Sequence, residues 1–243
     1  MQNKLFLKKT HDFSAVKKPE LAVVMIHGIA SDSSAYDHAL KYLENTKSLS
    51  NVRFITFDLL GSGKSLKSDE LNYDYKEQVE ALHNSIEKLR LTTPLVLVGH
   101  SLGTFIVTRY ADTYKDTIKK LILVSPPIYT LKDMENPAFA VGMKAFEGAV
   151  AAKNPKILHE KSFINSMKKI VLNKQNYQTL AELKTDTVLI YGDGDQLIAS
   201  YNIPALIKNN SEYISAIKTI GAHGVTRDKY TKICEVLEEA LRA

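Results

Sequence analysis

The sequence of 243 residues holds one cysteine, Cys234, and no tryptophan. A single thiol can close no internal disulfide and build no multi-cysteine zinc site, so neither staple is available to this chain. Cys234 reads as a core residue. No window approaches the roughly 18 uninterrupted apolar residues that a membrane span needs, and the apolar run in MQNKLFLKKT is too short for a secretory signal. A soluble, cytoplasmic protein that needs no membrane is the expectation. Only 11 glycines and 7 prolines are present, with no low-complexity tract and no repeat of solenoid period. The net charge of +5 comes from Lys and Arg scattered among 27 acidic residues. Without a dense basic stripe, a solvated Lys-rich surface is expected and nucleic-acid binding is not.

What the chain does have is a set of short Val, Ile and Leu runs: LAVVMI (21–26), VRFITF (52–57), LVLV (95–98), KLILVS (120–125), TVLIY (187–191) and YISAIKTI (213–220). Near-continuous apolar strands separated by amphipathic helices predict an α/β fold, a mostly parallel central sheet with helices on both faces. Tyr75, Val79, Leu82, Ile86 and Leu89 keep helical spacing, as do Tyr230, Ile233, Cys234, Leu237 and Leu241. From 126 to 186 the alternation breaks and no strand is predicted. That segment reads as a helical insertion between core segments 1–125 and 187–243. It holds two matching helix starts, Asn136-Pro137 and Asn154-Pro155, each with an Asn cap acceptor and a proline suited to the first helical position.

The stretch DLLGSGKS, residues 58–65, resembles the end of a phosphate-binding loop, but G-x-x-x-x-G-K-[ST] requires glycine where the chain has Asp58. No helix follows at once to hold a phosphate, so no nucleotide is expected and Lys64 reads as a solvated loop residue. The stronger signal is Gly99-His100-Ser101-Leu102-Gly103, a G-x-S-x-G between an apolar strand and a helix-compatible run. In that setting the serine occupies a sharp strand-to-helix turn as nucleophile, and glycines two residues away on either side relieve collision with neighbouring backbone. The turn also points the Leu102 N–H at a developing oxyanion.

A serine hydroxyl needs a histidine base, and that base needs a carboxylate to fix its tautomer. His223, in IGAHGV between the last strand and the last helix, completes the order Ser, Asp, His. His11, His38, His83 and His159 fall in polar or helix-surface settings; His100 points to the wrong side of the nucleophile, and His27 shapes a loop. The acid is Asp193 or Asp195, both after the strand TVLIY.

Together these features resemble the α/β-hydrolase superfamily of serine esterases, lipases and thioesterases. The resemblance rests on His27-Gly28 after a strand, D-x-x-G-x-G-x-S at 58–65, the elbow at 99–103, G-x-x-D at 192–195 and His223-Gly224. It implies Asp195 as the acid, Ile29 N–H as the second oxyanion-hole donor, no cofactor, and segment 126–186 as a cap over the active site. Thr104 departs from the family's pattern, which often has a second small glycine there. Ile128 and Tyr129 are placed to approach the site, and Phe139, Met143, Phe146 and Val150 keep a helical spacing that could wall an acyl pocket or be plain helix core. The expected partner is a small or medium uncharged ester. Thioesters, lactones, acyl transfer and carbon–carbon cleavage share the same triad, whereas dehalogenases and epoxide hydrolases of this fold carry aspartate where the chain has Ser101. A ligand-binding receptor of the same fold is the reading from another class.

Overall fold

Side chains on successive strand residues point to opposite faces, so a run apolar at every position can be buried only between two layers of helices. The computed structural model of the chain has this arrangement and describes residues 4–114, 117–153 and 159–242. In chain order the elements are β1 (Lys8–Ser14), β2 (Leu21–Ile26), α1 (Asp37–Glu44), β3 (Val52–Asp58), α2 (Tyr75–Leu89), β4 (Leu95–His100), α3 (Leu102–Thr113) and β5 (Ile118–Val124). Helices α4 (Leu131–Met134), α5 (Pro137–Lys153), α6 (Glu160–Ser166) and α7 (Asn176–Ala181) follow. The chain then closes with β6 (Thr187–Gly192), α8 (Ile203–Asn209), β7 (Ile214–Thr219) and α9 (Arg227–Arg242).

The seven strands form one sheet in the order β1-β3-β2-β4-β5-β6-β7, antiparallel only between β1 and β3. The α/β class read from the apolar runs is therefore borne out. Ala22, Val24 and Ile26 of β2 enter the core shared with α2 and α3, while Leu21, Val23 and Met25 enter the core shared with α1 and α9. Every residue of β2 and β4 is buried. In α2 and α9 the helically spaced Val79, Leu82, Ile86, Ile233, Cys234 and Leu237 are buried as expected.

Strand β1 has no counterpart in the sequence reading. Its segment, KKTHDFS, is an edge strand of exposed and half-buried residues with no apolar run. A polar ladder on β3 holds it instead: the Arg53 guanidinium donates to both carboxylate oxygens of Asp12 at 2.8 and 2.9 Å. Between β5 and β6 the described residues contain helices and no strand. Helix α5 starts at Pro137, where the Asn136 side chain accepts from the Ala138 N–H at 3.0 Å. The second start, Asn154-Pro155, lies outside the described residues. Among the described residues no helix is long and apolar enough to cross a membrane.

The chain runs from β2 outward to β3, then crosses back to place β4 on the other side of β2. Such a reversal opens a crevice beyond the carboxyl ends of the two central strands. The loops leaving β2 and β4 carry Ile29 and Ser101.

Candidate active site

Ser101 closes β4 and caps α3 with φ 51° and ψ −117°, a conformation that L-residues avoid and that costs on the order of 1–3 kcal/mol. The turn is held from two sides. The Ser101 N–H donates to the Val124 carbonyl at 2.9 Å, and the Thr104 hydroxyl donates to the Ser101 carbonyl at 2.5 Å. Crowding explains both flanking glycines: a Cβ on Gly99 would come within 2.5 Å of the Gly103 carbonyl oxygen, and one on Gly103 within 2.3 Å of that of Ile26. Leu102 opens α3, so its N–H has no intrahelical acceptor, and among the described residues it has no other.

A second free donor comes from the loop after β2. His27 is fully buried; its Nε2 accepts from the Leu59 N–H at 3.0 Å, which leaves Nδ1–H to donate to the Gly28 carbonyl at 2.8 Å. Burial holds this imidazole neutral, its pKa below the usual histidine range. In a trans peptide the carbonyl and the next N–H point in opposite directions. Anchoring the Gly28 carbonyl therefore turns the Ile29 N–H outward, and it has no protein acceptor among the described residues. The stretch DLLGSGKS supports this loop. Asp58 accepts from the Ser33 N–H at 2.9 Å and the Lys64 N–H at 2.8 Å, so the carboxylate fills the centre of the turn while Lys64 is exposed.

His223 Nδ1 lies 3.0 Å from both carboxylate oxygens of Asp195. Asp195 follows β6 and is buried; Asp193, the alternative, is exposed and accepts from the Gly221 N–H at 3.3 Å. Burial alone would raise the Asp195 pKa, but hydrogen bonds from His223 and the Leu197 N–H, with the nearby Ser125 hydroxyl, bring it below the usual carboxylate range. His100 turns away from the nucleophile: its Nε2–H donates to the His223 carbonyl at 2.8 Å. Burial, with the neighbouring His223, lowers the His100 pKa to about 3. No hydrogen bond joins Ser101 Oγ to His223 among the described residues; this contact is often loose before substrate binds.

Ser101, His223 and Ile29 open onto one apolar lobe walled by Tyr129, Met143, Phe146, Met167 and Val171. Ile29 also borders a second lobe beside Leu102, lined by Ser62, His159, Ser162 and Ser166.

A family model described as alpha/beta hydrolase fold matches residues 22–156, more than half of the chain. The chain belongs to the α/β-hydrolase fold family. It is 35% identical over 119 residues to a probable lysophospholipase, BODYGUARD 5 of Arabidopsis thaliana, covering 49% of this chain and 27% of that protein. Identity to the human (lyso)-N-acylphosphatidylethanolamine lipase is 32% over 161 residues, covering 63% of this chain and 44% of the relative. The chain thus spans about a quarter to under a half of the length of these curated relatives. In fold it superimposes on an esterase from Exiguobacterium antarcticum with a TM-score of 0.72 at 18% identity, covering 99% of this chain and 100% of that one.

In this α/β-hydrolase the residues expected to wall the pocket divide. Tyr129, Met143 and Phe146 face the crevice. Ile128 does not: at 1% exposure it is packed into the core, with its carbonyl accepting from Asn202 at 2.9 Å. Phe139 reaches the crevice only through Tyr129, against whose ring it packs edge-on with centroids 4.7 Å apart. Val150 is half-buried against the core. His159, expected on a solvated surface, instead caps α6, accepting from the Ser162 N–H at 3.3 Å, and borders the second lobe. Sequence reasoning missed Ser125, which follows β5 with φ 49° and a fully buried side chain. Its place at the carboxyl end of a strand was the available signal.

Proposed function

We propose that the chain is a serine hydrolase that cleaves small or medium uncharged carboxylic esters by two-step acyl transfer. Ser101 Oγ attacks the ester carbonyl as His223 Nε2 takes its proton. The Ile29 and Leu102 N–H groups hold the oxyanion, and collapse of the intermediate expels the alcohol with the proton returned by His223. Water, deprotonated by the same nitrogen, then attacks the acyl-enzyme and frees the acid. Asp195 keeps the proton on Nδ1, so Nε2 stays the basic nitrogen.

The observation that carries this reading is the Asp195–His223 contact at 3.0 Å beside a strained serine that shares a crevice with His223. Two backbone donors without acceptors among the described residues flank that serine. Segment 126–186 acts as the cap: Met143, Phe146, Met167 and Val171 come from it and favour a hydrocarbon portion of the substrate. The lipase and esterase names of the relatives agree with an acyl substrate. A panel of p-nitrophenyl esters of increasing acyl length, with thioester and lactone substrates included, tests the reading. A preferred acyl length is expected; equal rates at every length would contradict the apolar wall.

A further inference from the structure

Lys229 stands in the first turn of α9, in the polar stretch RDKYTK, yet its side chain is fully buried. A buried ammonium is costly unless each of its three protons finds an acceptor. Here all three do. Nζ donates to Ser125 Oγ at 2.6 Å, to the Gly224 carbonyl at 3.0 Å and to the Ala222 carbonyl. Ala222 and Gly224 flank His223, whose own carbonyl accepts from His100. Three consecutive carbonyls of the histidine loop are therefore held from below by two buried side chains, although Ala222 and Gly224 are themselves exposed.

The bond to Ser125 also has a fixed sense. An ammonium only donates, so Ser125 Oγ must accept from Lys229, and its one proton is left for another partner. Asp195 is the charged neighbour of that hydroxyl, which helps hold the carboxylate's pKa low. Lys229 thus reaches the Asp195–His223 pair through the backbone on both sides of His223, and Ser125 Oγ is the third acceptor that seats the ammonium. Burial draws the ammonium's pKa down and the Asp195 charge draws it back up.

We infer that Lys229 is a positioning residue of the reaction centre, pinning the loop that carries His223. This rests on the serine-hydrolase reading above. A misplacement of the base by about 1 Å costs on the order of 100-fold in rate without weakening substrate binding. Lys229→Met leaves Ser125 Oγ and the Ala222 and Gly224 carbonyls without this donor, which costs stability wherever water does not replace it. Lys229→Met is therefore expected to melt below the wild type yet stay folded at the assay temperature and keep KM within about threefold, while kcat per folded molecule falls by about 100-fold. Ser125→Ala, which removes one of the ammonium's three acceptors, is expected to lower kcat by about tenfold with KM unchanged.

A folded Lys229→Met variant with wild-type kcat would overturn the inference, as would a loss of kcat that merely follows the folded fraction. Should Lys229→Met fail to fold, Ser125→Ala decides, and unchanged kcat there overturns the inference. Labelling by a fluorophosphonate separates the two levels. An unlabelled wild type refutes the serine-hydrolase reading and this inference with it; a labelled wild type with Lys229→Met reacting equally fast refutes the inference alone.

Discussion

His223 and Asp195 are 28 positions apart in sequence, yet Nδ1 of the imidazole lies 3.0 Å from each oxygen of the carboxylate. The Asp195 side chain is completely shielded from solvent, whereas that of His223 keeps 22% of its exposure. One end of the imidazole is therefore anchored in the protein, while the ring keeps access to the crevice.

Asp195→Asn tests what that anchoring does. An amide can present its NH2 to Nδ1 and so favour the proton on Nε2, the wrong tautomer for a base. The expected result is a fall in kcat of about three to four powers of ten with little change in KM, read by steady-state kinetics on a p-nitrophenyl ester. Asp193→Asn, on an exposed turn, should stay near wild type.

Two buried neutral histidines make stability depend on pH. The pKa of His100 lies at about 3, and that of His27 is also lowered by burial, whereas the unfolded chain takes up a proton on each near pH 6.5. Because the unfolded state then binds more protons, stability falls as pH drops below about 6.5. Each histidine contributes up to about 1.4 kcal/mol per pH unit, down to about pH 3 for His100. Urea denaturation between pH 6.5 and 5 should show this slope, reduced by about one proton in His100→Gln; identical slopes would contradict the neutral assignment.

Glycine substitutions should go opposite ways at two sites. An alanine Cβ at 103 would sit 2.3 Å from the Ile26 carbonyl oxygen and 2.6 Å from that of His27, neither of which is a movable side chain. Gly103→Ala is expected to destabilise by about 3 kcal/mol or more, or to prevent folding. Gly142 lies in α5 with open space around the same position, and alanine there should stabilise by about 0.5–1 kcal/mol. Melting temperatures of the two variants check both signs.

The central sheet was legible because β2, β3, β4, β5 and β6 are buried strongly enough to need near-continuous Val, Ile and Leu. Strand β1 was not, because an edge strand held by Asp12 and Arg53 needs no apolar run. Ser101 could be singled out because a sharp strand-to-helix turn needs glycines around it; His223 followed from the chain order of the three groups, and Asp195 was separated from Asp193 only by the family resemblance. Ile128 misled because closeness to the end of β5 does not say which way a side chain turns. Lys229 left no mark at all: its burial depends on carbonyls of the histidine loop, and carbonyls carry no residue signature.

Wild type and Ser101→Ala, each treated with a fluorophosphonate and followed by intact-mass spectrometry alongside ester turnover, put the nucleophile to its most direct test. One phosphonyl adduct on the Ser101 peptide is expected for wild type. For Ser101→Ala no adduct is expected, and turnover should be lower by about four to six powers of ten. Undiminished turnover in Ser101→Ala, or labelling at another residue with Ser101 untouched, would contradict the assignment.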